Sequence, residues 1–145
     1  MEYTLALIIH VLCAIIFLGF VFSDVVVFPI LKKKLGVEEH QKIMQIIISR
    51  GVKIFPPAVL LLVLSGGFMF SKYINSEAGA FNSSLQIVLM IKVLLVLLIV
   101  LAIVYSLICR FTKLEQHPFI HKHGHTLVLV LGFLVVILGK LMFVV

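Results

Sequence analysis

The sequence predicts an all-α, polytopic membrane protein: a single transmembrane domain of four bundled helices over residues 1–145, with both termini on the outer, periplasmic side. Three observations predict it. Of the 145 residues, 63% are hydrophobic and only 12% are charged, whereas a water-soluble domain averages about 45–50% apolar and about 25% charged. The apolar residues gather into four stretches, each close to the roughly 20 residues needed to cross a hydrocarbon core. The charge that remains is mostly basic, 12 Lys and Arg against 6 Asp and Glu, and it clusters in two of the three connections. A net charge of +6 would suggest nucleic acid in a soluble chain, but beside apolar runs it orients the chain against a membrane. Within these residues no room is left for a water-soluble catalytic domain, so any function is expected to sit between helices.

The first span is expected from about Thr4 to Leu31. It is free of charge until Asp24 and ends at Pro29 and the run Lys32, Lys33, Lys34. Glu2 stands where a secretory signal would carry basic residues, and the apolar run is longer than a signal core, so it reads as a retained helix. The second span runs from about Ile54 to Lys72 and opens on Pro56 and Pro57, where a missing N–H is cheap in a first helical turn. The alternative is a helix that starts near Glu38, since VEEHQKIMQIIIS also has helical character, and bends at the prolines. The third span is expected from Ser84 to Cys109 and the fourth from Gly124 to Val145.

Orientation follows from the connections. Lys32, Lys33, Lys34, Lys42, Arg50 and Lys53 lie between spans one and two, and Arg110, Lys113 and Lys122 between spans three and four. By the positive-inside rule both are cytoplasmic, as in a multi-pass protein of a bacterial inner membrane. Cys13 and Cys109 fall near opposite ends of different spans, roughly 20 Å apart along the membrane normal, which excludes a disulfide.

Ionisable groups within the spans are costly, about 2.5–3.5 kcal/mol for Lys or Asp at a helix centre, so each needs a reason. Counted from the outer boundary, His10 lies roughly 10 Å deep, Lys92 roughly 11 Å deep and Lys140 roughly 8 Å from the chain end. Taken singly, each lysine can snorkel to the interface and the histidine can hydrogen-bond to a neighbouring helix. Taken together they form one basic layer in which Glu2 and Glu77 are the only nearby acids, so the counter-anion is expected from a ligand. A haem fits that chemistry, with imidazole as an iron ligand and two ammoniums for its propionates. Cys13 lies about one turn from His10, and Met69 and Met90 are candidates for a second axial position, although membrane methionines ordinarily pack. Asp24 is expected in an ion pair with Arg50, Lys53 or Arg110. The run HPFIHKHGH supplies His117, His121, His123 and His125. Of these His121, His123 and His125 make a weaker candidate metal site, His121 and His125 having the i,i+4 spacing of ligands on one helix face.

These residues also resemble a known family. IIHVLCAIIFLGFVF with His10, SRGVKIFPPAVLLLVLSGGF with Arg50, Pro57 and Gly66, MIKVLLVLLIVLA with Lys92 and VVILGKLMF with Lys140 are similar, in order and spacing, to the HemJ type of protoporphyrinogen IX oxidase. More loosely they are similar to CopD-like membrane proteins. The resemblance implies a four-helix membrane protein that binds haem b and oxidises a porphyrinogen, passing electrons toward quinone. It also implies that His10 ligates the iron and that Lys92 and Lys140 contact carboxylates of haem or of a porphyrin substrate. The chain departs from the family where FSDVVVFPILKK replaces a Pro-Arg pair, in having no tryptophan, and around Tyr105 and Ser106, where the family carries a later histidine. These departures bear on turnover more than on haem binding. The expected function is therefore a haem b protein with a redox or porphyrin-related role. The alternatives are copper handling of the CopD sort, which predicts bound metal without a Soret band, and a non-catalytic haem carrier or subunit. Ala14, Gly19, Gly66, Gly67, Gly132 and Gly139 would allow close helix approach or room for a macrocycle, and the wide apolar surfaces suit membrane lipid or a homodimer.

Overall fold

The fold was analysed in a computed structural model, which describes residues 1–75, 79 and 81–144. Glu77 lies outside the described residues. Among the described residues the regular structure is helical: α1 (Glu2–Phe22), a π-helical turn (Ser23–Val27), α2 (Pro29–Tyr73), α3 (Ser84–Thr112) and α4 (Pro118–Leu141). Four segments are long and apolar enough to cross a membrane, Glu2–Val27, Pro29–Tyr73, Ser84–Thr112 and Pro118–Leu141. Large apolar side chains such as Leu5, Ile15, Leu60, Leu64, Leu94 and Val136 stand exposed along them, as expected where lipid is the solvent. The chain divides into two compact units, Met1–Lys72 and Tyr73–Val145.

In the first unit, α1 widens at its end because Pro29 has no N–H to continue the α-helical ladder. The amide of Phe28 instead donates to Ser23 O at 2.8 Å, a five-residue step, and the Ser23 hydroxyl donates to Gly19 O at 2.9 Å. The chain then turns at Gly36, whose φ of 83° and ψ of 172° lie in a region open essentially to glycine alone. Beyond this corner the helix runs without another break to Tyr73, so Pro56 and Pro57 are interior. That corrects the expectation of a helix opening at Ile54 and matches the alternative of an earlier start. From Val37 to Tyr73, at about 1.5 Å per residue, this helix is about 56 Å long, nearly twice the roughly 30 Å of a hydrocarbon core.

Two contacts define how α1 and α2 pair. His10 meets Ser65, and Phe20, ten residues further along α1, meets Phe55, ten residues earlier on α2, with ring centroids 4.1 Å apart. The helices are therefore antiparallel and in register. The partly or fully buried positions of α1 include Tyr3, Ala6, His10, Cys13, Phe17 and Phe20, and those of α2 include Gly51, Phe55, Ala58, Leu62, Ser65 and Met69. Both series alternate steps of three and four, the spacing that keeps one stripe of each helix turned to its partner. Gly51, Ala58 and Ser65 recur every seven residues, and small side chains at such a seam let helices approach in lipid. A Cβ at Gly51 would lie 2.6 Å from the Phe55 ring and 3.8 Å from that of Phe20.

In the second unit, the Ser83 side chain caps α3 by accepting from the Gln86 amide at 3.3 Å, an ordinary N-cap. Gln86 is itself buried. Its carbonyl oxygen accepts from Asn82 N at 2.8 Å, and its amide donates to Tyr73 O and Gly79 O, each at 3.1 Å. One side chain thus ties the segment before α3 to the helix. At the other end α3 reaches Thr112 and closes on Lys113 in the left-handed region, φ 55°. The Gln116 amide donates to Ser106 Oγ at 3.0 Å, and His117 N donates to Tyr105 Oη at 3.1 Å. His117 caps α4 and Pro118 fills its first turn, a position that needs no N–H. Helix α4 accordingly starts before Gly124, the expected boundary, and ends at Leu141. It packs against α3 along a series that includes the buried Gly124, Val128, Gly132 and Met142 and the half-buried Gly139.

Candidate functional site

The first unit places His10 on the seam rather than on the lipid face. Its Nδ1 lies 3.0 Å from Leu62 O and 3.1 Å from Ser65 Oγ. A backbone carbonyl can only accept, so Nδ1 carries a proton; in a neutral ring the lone pair is then on Nε2. The Ser65 hydroxyl donates to Leu61 O at 2.7 Å, with Leu62 O at 3.2 Å, so its oxygen presents an acceptor to His10. Gly66 makes room for the ring: a Cβ there would lie 3.1 Å from His10 Cε1. A histidine held by an Nδ1–H bond to a carbonyl, with Nε2 carrying the lone pair, is the arrangement that orients metal-ligating imidazoles.

Ser65 and Leu62 were not among the residues singled out from the sequence. The seven-residue recurrence of Gly51, Ala58 and Ser65 was the available signal. Cys13, one turn from His10, is on the same seam. Both cysteines are buried and free. Met69 is half-buried on α2. Asp24 falls in the π-helical turn, half-buried.

The second unit separates the two candidate lysines by environment. Lys92 is half-buried on α3, with its ammonium over Gly139 of α4, where a Cβ would come within 3.0 Å of Nζ. Among the described residues it makes no hydrogen bond or ion pair. Lys140, the next residue along from Gly139, is exposed. His121, His123 and His125 are exposed on the first turns of α4, with the His123 ring against Phe119 at 5.3 Å. Among the described residues no group of three or more His, Cys, Asp or Glu is placed to hold a metal ion. Tyr105 and Ser106, where the resembled family carries its later histidine, are both engaged by the residues that lead into α4.

The helices define the class of protein, a multi-pass α-helical membrane protein. No protein-family model, curated protein or solved structure matches the chain.

Proposed function

We propose that this protein is a haem b-binding integral membrane protein with a redox role, in which His10 supplies an axial ligand to the iron. The observation that carries the reading is the Nδ1 contact with the Leu62 carbonyl, which leaves the lone pair on Nε2 and gives the ring the outer partner that ligating histidines use. The residues at hand fit the group. Imidazole is a common haem ligand, and a glycine at position 66 spares the ring a Cβ 3.1 Å from Cε1. Leu62 and Ser65 hold the proton on Nδ1 and the seam packing fixes the ring's direction. When bound, haem would supply a one-electron couple, suited to moving reducing equivalents between a porphyrin-type donor and quinone. The basic connections support an inner-membrane protein with both termini outside.

The test is purification in mild detergent, with oxidised and reduced visible spectra and metal analysis, repeated for His10→Ala. A Soret band and reduced b-type bands that are lost in the variant are expected. A colourless wild-type protein overturns the reading, whereas haem kept in full by His10→Ala overturns the assignment of the ligand. Adding protoporphyrinogen with a quinone acceptor then tests turnover.

A further inference from the structure

We infer that Ser65 is a positioning residue for His10: its hydroxyl holds the imidazole in the Nδ1–H tautomer and sets how strongly the opposite nitrogen donates electrons to a bound metal. The statement about the metal rests on the haem reading; the statement about the tautomer does not.

Three observations on one seam lead to it. First, the Ser65 O–H is committed within its own helix, 2.7 Å from Leu61 O, so toward His10, 3.1 Å away, the oxygen offers a lone pair. Second, the Leu62 carbonyl stands 3.0 Å from the same nitrogen. With the proton on Nε2 instead, two lone pairs would oppose each other there, and the serine could donate to Nδ1 only by giving up its bond to Leu61. Both neighbours therefore favour one tautomer. Third, packing alone does not ask for a hydroxyl. The equivalent seam positions one and two heptads earlier are Ala58 and Gly51, and a buried hydroxyl costs free energy unless it is hydrogen-bonded. A serine in a helix interior usually spends its hydroxyl on the preceding turn alone; here the same oxygen also meets the ring on α1.

The consequence for a bound iron follows from the sharing of Nδ1–H between two acceptors. Acceptors on that proton raise the basicity of the ligating nitrogen, which favours the oxidised metal. Removing one of them should raise the midpoint potential while Leu62 still orients the ring.

The inference is tested in two arms. In haem-free protein in detergent, with histidine ring nitrogens labelled with 15N and the His10 signals identified by their absence in His10→Ala, the wild type should show Nδ1 protonated and Nε2 bare. Ser65→Ala should move those signals and Ser65→Thr should restore them. Ser65→Cys, which keeps the volume but accepts weakly, should behave as the alanine variant does and guards against a packing defect in it. In haem-loaded protein, Ser65→Ala should retain the haem and raise the potential, a tenfold change in the one-electron equilibrium being about 59 mV, with Ser65→Thr close to wild type. An Nε2–H tautomer in the wild type, or Ser65→Ala signals and potential identical to wild type, overturns the inference. A wild type that shows the expected tautomer but takes up no haem removes the haem reading and leaves the role of Ser65 toward the ring standing.

Discussion

His10 and Ser65 face each other across the first pair of helices, Nδ1 3.1 Å from Oγ, and the residue after that serine is a glycine whose missing side chain admits the imidazole. A histidine set into apolar helices is thereby given its proton position by one neighbouring turn, Leu61 to Gly66.

That relationship makes Gly66 and Gly67 an informative pair. A Cβ at Gly66 would press on His10 Cε1 at 3.1 Å, while one at Gly67 would meet nothing within 4 Å. Gly67→Ala should leave the protein unchanged or stabilise it by up to about 1 kcal/mol through helix propensity. Gly66→Val should displace the ring and reduce haem content at least tenfold. Thermal denaturation and haem-to-protein ratio for the two variants check this, and equal haem content would contradict it.

Gln86 satisfies three backbone groups with one amide. Gln86→Leu would leave those groups without their partner at a cost of about 1–3 kcal/mol each if they stay buried. A loss of about 2–4 kcal/mol in denaturation in detergent is expected once water reaches part of the segment. A loss below about 0.5 kcal/mol would show that water replaces the amide fully.

The corner at Gly36 requires a positive φ of 83°. Gly36→Ala should destabilise the first unit by about 1–3 kcal/mol. Gly19→Ala, in a helical position with nothing within 4 Å of the new methyl, should instead be neutral or stabilising by up to about 1 kcal/mol. Opposite signs in unfolding by a mild-to-harsh detergent titration are the expected result.

Lys92 and Lys140 should respond differently to loss of charge. The half-buried Lys92 has no hydrogen bond or ion pair among the described residues, so Lys92→Met in ligand-free protein should ease insertion by up to about 2.5 kcal/mol on translocon scales. Lys140 is exposed, and Lys140→Met should change insertion little. A glycosylation-based insertion assay on α3 and α4 measures both, and a less efficient Lys92→Met would mean that the ammonium has an anionic partner during insertion.

Much of the architecture was legible because a bilayer imposes simple demands. A span needs a long apolar run, and the runs near Thr4, Ile54, Ser84 and Gly124 all fall within helices able to cross a membrane. Boundaries were less legible. Helix α2 continues through Pro56 and Pro57, because two missing N–H groups do not end a helix whose remaining ladder stays intact, and the break falls instead at Gly36. Of the site, His10 stood out because an imidazole in an apolar run is expensive, whereas Ser65 did not, because serine in a membrane helix commonly bonds its own preceding turn. Lys92 and Lys140 look alike in sequence, yet Lys92 is half-buried against Gly139 of the neighbouring helix and Lys140 is exposed.

By itself, then, the sequence determined that this is a helical membrane protein with four apolar runs, basic connections and a histidine within the first run. Only the tertiary structure decided which face of each helix is buried, and with it that His10 meets Leu62, Ser65 and Gly66. The reason is physical. Helices that are apolar all round carry no hydrophobic stripe to mark an inner face, so in lipid the seam is chosen by side-chain size and hydrogen bonding across helices, which become visible only when the partner helix is in place.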